Sequence, residues 1–174
     1  MAEDMKVQVQ KAKKAAQLLA TVSTQKKNDF LGDLAQRLEG EQSRIEQENQ
    51  KDVKIAVENN MKSGFIDRLI LNKKRIQGMA DGLRQVAALA DPVGEVMSGW
   101  KRPNGLMVTK VRVPLGVLAI IYEARPNVTI DSIGLGIKSG NSLVLRGSSS
   151  TLNSNRLLIL LARESLRQYS LPED

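Results

Sequence analysis

The apolar positions of residues 1–90 recur with the 3.6-residue period of amphipathic helices. They predict helices over residues 5–22, 24–40, 42–59 and 72–90, and a short helical turn over residues 65–71. The most continuous apolar stripe belongs to the second of these helices and consists of Phe30, Leu31, Leu34, Ala35 and Leu38. The third helix has few apolar residues among many polar ones, so we expect it at the surface.

Small and polar residues mark the expected ends of these helices. Thr24 and Asn72 each precede an apolar-periodic segment, so their side chains are predicted to cap the helices that follow. Gly40 is predicted to end helix 24–40. The pair Asn59–Asn60, together with Gly64, predicts a turn before residues 65–71.

After residues 91–94 the apolar period changes to the two-residue alternation of strands. Residues 95–101 and 106–113 predict a β-hairpin, because Asn104–Gly105 is a strong hairpin turn signal. Residues 116–122 and 142–146 are unbroken apolar runs, typical of parallel strands buried on both faces. Helix 128–139, closed by Gly140, lies between them, and a last helix is predicted over residues 151–168.

The order of elements predicts an α/β fold in three segments. Residues 1–91 form an N-terminal helical segment, residues 92–113 an oligomerisation-type hairpin, and residues 114–174 part of a nucleotide-binding domain. Two parallel strands are too few to cover two helices, and the last helix is apolar nearly all round at residues 157–162. We therefore expect uncovered apolar surface on that helix, in a chain that is part of a larger protein or folds with partner chains.

Composition narrows the classes of function. The net charge is +7, but the basic residues are dispersed, which is more typical of a solubility feature than of a nucleic-acid interface. The absence of cysteine and histidine excludes disulfides, thiolate metal sites, cysteine nucleophiles and histidine acid/base chemistry within this chain. No metal site is expected. Neither a signal peptide nor a membrane span of ~18 apolar residues is evident, so a cytoplasmic location is the expectation.

The loop after the second parallel strand, Arg146–Ser150, is a candidate phosphate site. Such a loop enters a helix N-terminus, where unpaired N–H groups and the positive end of the helix dipole favour anions. Gly147 allows close backbone approach, the hydroxyls of Ser148, Ser149 and Ser150 add donors, and Arg146 suits the 2′-phosphate of NADP. A plain serine cap beside a surface arginine explains the same residues, and no G-x-G-x-x-G motif is present.

The loop after the first parallel strand lies at the same carboxyl edge of the predicted sheet, where open α/β folds bind ligands. Arg125 is a candidate for holding a carboxylate or a phosphate. Asn127 stands where its amide either caps the following helix or donates to a developing oxyanion. Both interpretations of Asn127 stay open on the sequence.

Several motifs together resemble the gamma-glutamyl phosphate reductase family of the aldehyde dehydrogenase superfamily. The most distinctive are VPLGV (113–117), YEARPNVT (122–129) and KSGNSLVLRG (138–147), with DRL (67–69) and ADPVGE (90–95) upstream. The resemblance implies the N-terminal helices, part of an oligomerisation hairpin and the first βαβα half of an aldehyde-dehydrogenase-like cofactor domain. It covers nearly the whole chain, as an N-terminal portion of that enzyme.

The resemblance implies an enzyme of proline biosynthesis that reduces L-glutamate 5-phosphate with NADPH to glutamate 5-semialdehyde and phosphate. A cysteine thioester carries that reaction, and this chain has no cysteine, so we expect it to be inactive alone. Five positions after Asn141 the superfamily has a basic cofactor-binding residue, here Arg146. Cofactor binding is thus assigned to Tyr122, Arg146, Gly147 and Ser148–Ser150, and substrate binding to Arg125 and Asn127. A homo-oligomer without nucleic-acid or membrane partners is expected of the full-length enzyme.

Two assignments remain open. A gapless count back from Asn141 places the oxyanion asparagine at Glu123, whereas the neighbouring proline places it at Asn127, which we prefer because a carboxylate would repel an oxyanion. The resemblance implies an acidic residue where Ser150 stands, so the acidic contact expected at that position is missing. The alternative function is a non-catalytic remnant or assembly module that pairs with a full-length reductase through its hairpin.

Overall fold

The computed structural model describes residues 2–173, with side chains from residue 5 onward. Helices and parallel strands alternate in its second half, as expected. The elements are α1 (Ala2–Leu19), α2 (Thr24–Gly40), α3 (Gln42–Glu58), α4 (Ser63–Leu69), α5 (Lys73–Ala88), β1 (Val96–Lys101), β2 (Met107–Val111), β3 (Val117–Ile121), α6 (Asn127–Lys138), β4 (Ser142–Arg146), a 3₁₀ turn (Ser149–Thr151) and α7 (Leu152–Gln168).

Capping side chains set the first residues of two helices. Asn72 caps α5, as predicted, because its Oδ1 accepts from the Arg75 N–H at 3.0 Å. The prediction for Thr24 is wrong: Ser23 caps α2 by accepting from the Lys26 N–H at 3.3 Å. Thr24 instead donates to Asp91 Oδ2 at 2.8 Å, so its hydroxyl serves a tertiary contact.

Helices α2, α5, α6 and α7 enclose one aliphatic core. The five residues of the predicted α2 stripe are all fully buried. The prediction that α3 is a surface helix is wrong for one face, where Ile45, Asn49, Asp52 and Ala56 are buried. Two of these residues are polar, because they bind the backbone of other elements rather than solvent.

The hairpin of β1 and β2 is confirmed as an antiparallel pair, with Trp100 opposite Val108 and an irregularity in register between Val96 and Ser98. At its turn the Gly105 N–H donates to the Arg102 carbonyl at 2.9 Å, and Gly105 has φ +88°. That left-handed conformation is the one that glycine adopts without strain. All of β1 and nearly all of β2 are solvent-exposed.

Strands β3 and β4 form a parallel pair, in register from Val117 opposite Ser142 to Ile121 opposite Arg146. Helix α6 connects them and ends before Gly140, which has φ +72°, as predicted. The prediction that β3 is buried on both faces is wrong, because Ile121 is 80% exposed. Helices α1 and α6 pack mainly against β4, so one face of β3 remains uncovered.

Helix α7 is covered by the chain's own residues, contrary to the expectation of an uncovered apolar helix. Leu157, Leu158, Leu161 and Ala162 are buried against α2, α3 and α6, and only Leu160 of that cluster is substantially exposed. The hairpin has six of the exposed large hydrophobic residues among those that the structure describes, and others lie on α1, on α3 and between residues 113 and 121. Within residues 2–173, no helix is long and apolar enough to cross a membrane.

Candidate functional site

The carboxyl ends of β3 and β4 present the two predicted loops side by side. The Tyr122 N–H donates to the Arg146 carbonyl at 3.1 Å, which extends the strand pairing by one residue. Arg125 and Asn127 follow β3, whereas Gly147 and the three serines follow β4. The parallel register therefore brings both candidate groups to one edge of the sheet, as the sequence predicted.

Tyr122 is half-buried and packs beneath Gly147, in the loop that follows β4. Its hydroxyl forms a 2.6 Å hydrogen bond with Thr129 Oγ1. Burial raises the pKa of the Tyr122 phenol, and the hydrogen bond to Thr129 offsets only part of that rise. A Cβ on Gly147 would stand 3.0 Å from the Tyr122 hydroxyl and would collide with the Asn155 amide. Gly147 is therefore required by packing beneath the loop, whether or not a ligand approaches it.

A buried hydrogen-bond chain that the sequence analysis did not identify fixes this loop. Thr129 donates to Asn155 Oδ1 at 2.9 Å, and the Asn155 amide donates to Thr151 Oγ1 at 2.9 Å. These side chains join α6, α7 and the 3₁₀ turn at one point. A polar residue among the leucines of α7 was the available signal, since a buried amide needs partners.

The serine loop is organised as a cap. Ser148 Oγ accepts from the Ser150 N–H at 3.2 Å, and the Ser148 carbonyl accepts from the Thr151 N–H at 3.2 Å. This geometry matches the serine-cap interpretation of the sequence. Arg146 is exposed, and its guanidinium has no protein partner among residues 5–173.

The expectation of unpaired N–H groups at the start of α7 is wrong for Asn153 and Ser154, because Asp52 of α3 already accepts from both. Its carboxylate accepts from the Asn153 N–H at 3.1 Å and from the Ser154 N–H at 2.8 Å. The Ser154 hydroxyl adds a 2.6 Å hydrogen bond. A carboxylate in this position neutralises the helix dipole and repels a second anion, so it argues against a phosphate on the α7 axis.

Asn127 does not cap α6. The helix begins at Asn127 itself after Pro126, and no side chain caps it. The Asn127 amide donates instead to Asp131 Oδ2, one turn later, at 3.2 Å. The capping interpretation is therefore wrong, and the oxyanion interpretation stays a prediction. Glu123, the other candidate position, is exposed on the same loop.

Arg125 and Asn127 line a cleft of about 500 Å³ that Arg146 and the serine loop do not line. The other walls of the cleft come from the end of α4 and the first turns of α5. Its lining residues are Asp67, Arg68, Ile70, Leu71, Arg75, Gly78, Met79, Arg125, Asn127 and Asp131. At the shared sheet edge, the candidate substrate residues thus line this cleft, and the candidate cofactor residues do not.

The chain is similar to curated gamma-glutamyl phosphate reductases. It is 47% identical over 168 residues to that of Anoxybacillus flavithermus, covering 97% of this chain and 41% of the relative. It is 52% identical over 163 residues to that of Carboxydothermus hydrogenoformans, covering 94% of this chain and 39% of the relative. The chain thus spans about two fifths of the length of these relatives. No family model matches it.

Solved structures agree with this likeness. The gamma-glutamyl phosphate reductase of Thermotoga maritima superimposes with a TM-score of 0.92 at 41% identity, covering 94% of this chain and 40% of that one. A probable aldehyde dehydrogenase of Listeria monocytogenes, at 18% identity, shares the fold with a TM-score of 0.70 over 98% of this chain and 35% of that one. Over nearly its whole length, the chain is similar to the N-terminal portion of gamma-glutamyl phosphate reductases and has the aldehyde-dehydrogenase-like fold.

Proposed function

We propose that this chain is the cofactor-edge portion of an NADPH-dependent reductase that converts L-glutamate 5-phosphate to L-glutamate 5-semialdehyde and phosphate in proline biosynthesis. The observation that carries the proposal is the exposed, unpaired guanidinium of Arg146 at the carboxyl end of β4, within the part of the chain that the structure describes. The similarity to enzymes named for glutamyl phosphate supports the substrate. We place this activity in the cytoplasm and in a homo-oligomer of the full-length enzyme.

The residues at this edge fit NADPH in one particular way. Arg146 projects from a strand end into solvent and is free to bind a 2′-phosphate bidentately. Ser148 and Ser150 share a 3.3 Å hydrogen bond, so their hydroxyls are already grouped in the loop that follows Arg146. Because Asp52 blocks the α7 axis, we assign the 2′-phosphate to Arg146 and no phosphate to that helix terminus.

The remaining chemistry is divided between this chain and the rest of the enzyme. NADPH, when bound, supplies the hydride. Arg125 and Asn127 orient the substrate in the cleft, and Asn127 is our candidate donor to the oxyanion that forms at the acyl carbon. The chain has no cysteine, so the thiol nucleophile must come from polypeptide outside it, and we propose that the chain alone is inactive.

A chimera tests this function. Residues 1–174 are joined to the part of the Anoxybacillus flavithermus relative that lies beyond its match, and phosphate-dependent oxidation of glutamate semialdehyde is measured with NADP⁺. We expect activity from the chimera and none from the chain alone. Arg146→Gln should raise the KM for NADP⁺ by about 10- to 100-fold, because it removes a charge-assisted hydrogen-bond pair.

The controls separate cofactor binding from folding. Arg156→Gln, an exposed arginine of α7, should leave the KM for NADP⁺ unchanged. For Arg146→Gln the KM for NAD⁺, which lacks the 2′-phosphate, should change little. An equal rise in both constants would refute the role of Arg146, and a folded but inactive chimera beside an active relative would refute the proposed function.

A second function, an assembly module, is favoured by the exposed apolar residues of the hairpin. Val96 lies opposite Val111 in the register, and Met107 is on the same face as Val111. These three side chains are 58%, 41% and 63% exposed, respectively. A two-stranded hairpin also has two unpaired edges, which readily extend a partner's sheet.

Light scattering after size exclusion tests this module. The chain is mixed with the full-length Anoxybacillus flavithermus relative, and we expect a complex. Met107→Asp should abolish it, because the new charge would be buried in the interface. Ser98→Asp adds the same charge at an exposed position on the opposite face and should preserve it. No complex with the unmodified chain would eliminate the module.

A further inference from the structure

The cleft between α4, α5 and the start of α6 has more charge than its own residues neutralise. Five of its lining residues are charged: Asp67, Arg68, Arg75, Arg125 and Asp131. Their partners determine which charges remain available to a ligand.

The guanidinium of Arg75 is hydrogen-bonded to other residues of the cleft. Its guanidinium donates to the Ile70 carbonyl at 2.8 Å and to the Asp67 carbonyl. It also forms 3.1 Å and 3.0 Å hydrogen bonds to the two carboxylate oxygens of Asp67. Arg75 and Asp67 thus neutralise each other and hold the end of α4 against α5.

Arg68 and Arg125 differ from Arg75 in this respect. Both are exposed, and neither guanidinium has a hydrogen-bond or ion-pair partner among the side chains and backbone that the structure describes. They enter the cleft from separate elements, Arg68 from the last turn of α4 and Arg125 from the loop before α6. Two unpaired guanidiniums lining one cleft favour a bound carboxylate or phosphate.

Asp131 adds one negative charge to the same cleft. Its carboxylate accepts only the 3.2 Å hydrogen bond from the neutral Asn127 amide, so no cation among the described residues pairs with it. Partial loss of water raises the pKa of Asp131, and the Asn127 hydrogen bond offsets part of that rise. A cationic group on a ligand would therefore find an unpaired carboxylate in the same cleft as the two arginines.

We infer that this cleft binds the α-amino-acid head of the substrate, with the α-carboxylate on Arg68 and Arg125 and the α-ammonium on Asp131. The inference rests on the proposed function for the identity of the substrate and adds Arg68 and Asp131 to its binding site. A phosphate dianion fits less well, because Asp131 would repel it. The phosphorylated end of the substrate then extends away from α4.

Titration of the 174-residue chain with L-glutamate tests the site without cofactor or turnover. We expect saturable binding in calorimetry or in amide chemical shifts, centred on residues of the cleft. Arg68→Gln and Arg125→Gln should each weaken it by about tenfold, the loss expected when one charge-assisted hydrogen bond is removed. Arg156→Gln, at an exposed site on α7, is the matched control and should bind as the unmodified chain does.

Two further ligands identify which groups are recognised. Glutarate lacks the ammonium group, so we expect it to bind more weakly than L-glutamate to the unmodified chain. The Asp131→Asn variant should bind L-glutamate more weakly than the unmodified chain does. Its binding of glutarate should be no weaker. Inorganic phosphate should bind less tightly than L-glutamate.

The inference is overturned if L-glutamate shows no saturable binding, if phosphate binds more tightly, or if the Arg68 variant binds like its control. Because this titration needs no nicotinamide, its result is independent of the chimera assay. An inactive chimera beside a chain that binds L-glutamate would refute the reductase function and leave the amino-acid site intact. An active chimera beside a chain that does not bind L-glutamate would refute the site alone.

Discussion

Replacing Lys27 by Met should lower the free energy of unfolding by about 3–5 kcal/mol, because it removes one partner of a buried ion pair. Lys27 is completely buried, and its ammonium lies 2.9 Å from Asp91 Oδ2, a carboxylate that is 10% exposed. The pair joins α2 to the segment that leads into the hairpin. Without Lys27, the Asp91 carboxylate would keep only its hydrogen bonds from Thr24 and from the Val93 N–H.

A second buried lysine limits the loss. Lys138 is 3% exposed, and its ammonium donates to Asn28 Oδ1 at 2.7 Å and to the Ala87 carbonyl at 2.8 Å. Burial lowers the pKa of Lys138; attraction to Asp91 opposes this shift, and repulsion from Lys27 adds to it. Lys27→Met would remove that repulsion, so we expect the cost near the lower end of the range.

The free energy of unfolding should also depend on pH, because the Asp91 carboxylate becomes protonated in acid. Burial raises the pKa of Asp91, but hydrogen bonds from Lys27, the Val93 N–H and Thr24 outweigh it and keep the pKa below its ordinary value of 3.8. A lowered folded-state pKa means that the stabilisation is present above that ordinary value and is lost as the pH falls through the folded-state pKa. The unmodified chain should therefore lose more stability on acidification from about pH 5 than Lys27→Met does.

Urea unfolding at neutral and acid pH measures both effects. Lys74→Met, an exposed lysine of α5, is the matched control and should change the free energy of unfolding by less than about 0.5 kcal/mol. The prediction would be contradicted if Lys27→Met unfolded at the same urea concentration as Lys74→Met. It would equally be contradicted if Lys27→Met, like the control, kept the full acid dependence of the unmodified chain.

Local patterns in the sequence were sufficient for most of the elements. The α2 stripe, the Asn104–Gly105 turn and the two apolar runs around α6 each depend on neighbours within a few residues, and each was predicted correctly. Burial of β3 could not be predicted in the same way. It depends on which helices pack against the sheet, and that information lies far away along the chain.

In the candidate site, too, local sequence was sufficient for some features, and others depend on residues far away along the chain. Local sequence placed Arg125, Asn127 and Arg146 at one sheet edge, because strand ends follow from the apolar runs. It did not reveal Asp52, which lies in α3 and binds the start of α7, about a hundred positions later. A polar residue on the inner face of an amphipathic helix gives some warning of such a contact but does not identify its partner.

The second large effect is expected when the contact between Asp52 and the start of α7 is removed. Asp52→Ala should lower the free energy of unfolding by about 2–4 kcal/mol, because it leaves buried N–H donors of α7 without an acceptor. Asp52 is 2% exposed, and its two carboxylate oxygens accept from Asn153 and Ser154, so water cannot readily replace it. Asp52→Asn keeps one acceptor and should lose about half as much. The measurement is urea unfolding followed by circular dichroism.

The matched control is Glu58→Ala, which removes an exposed carboxylate from the last turn of the same helix and should lower the free energy of unfolding by less than about 0.5 kcal/mol.

The same Asp52→Asn substitution, made in the chimera, distinguishes two positions for the cofactor phosphate. If the phosphate lay on the α7 axis, removing the Asp52 charge would tighten NADP⁺ binding, because repulsion between two anions would be lost. We expect no tightening, since the assigned partner of the phosphate is Arg146. A lower KM for NADP⁺ in Asp52→Asn would therefore place the phosphate on the helix and remove Arg146 from the role given to it.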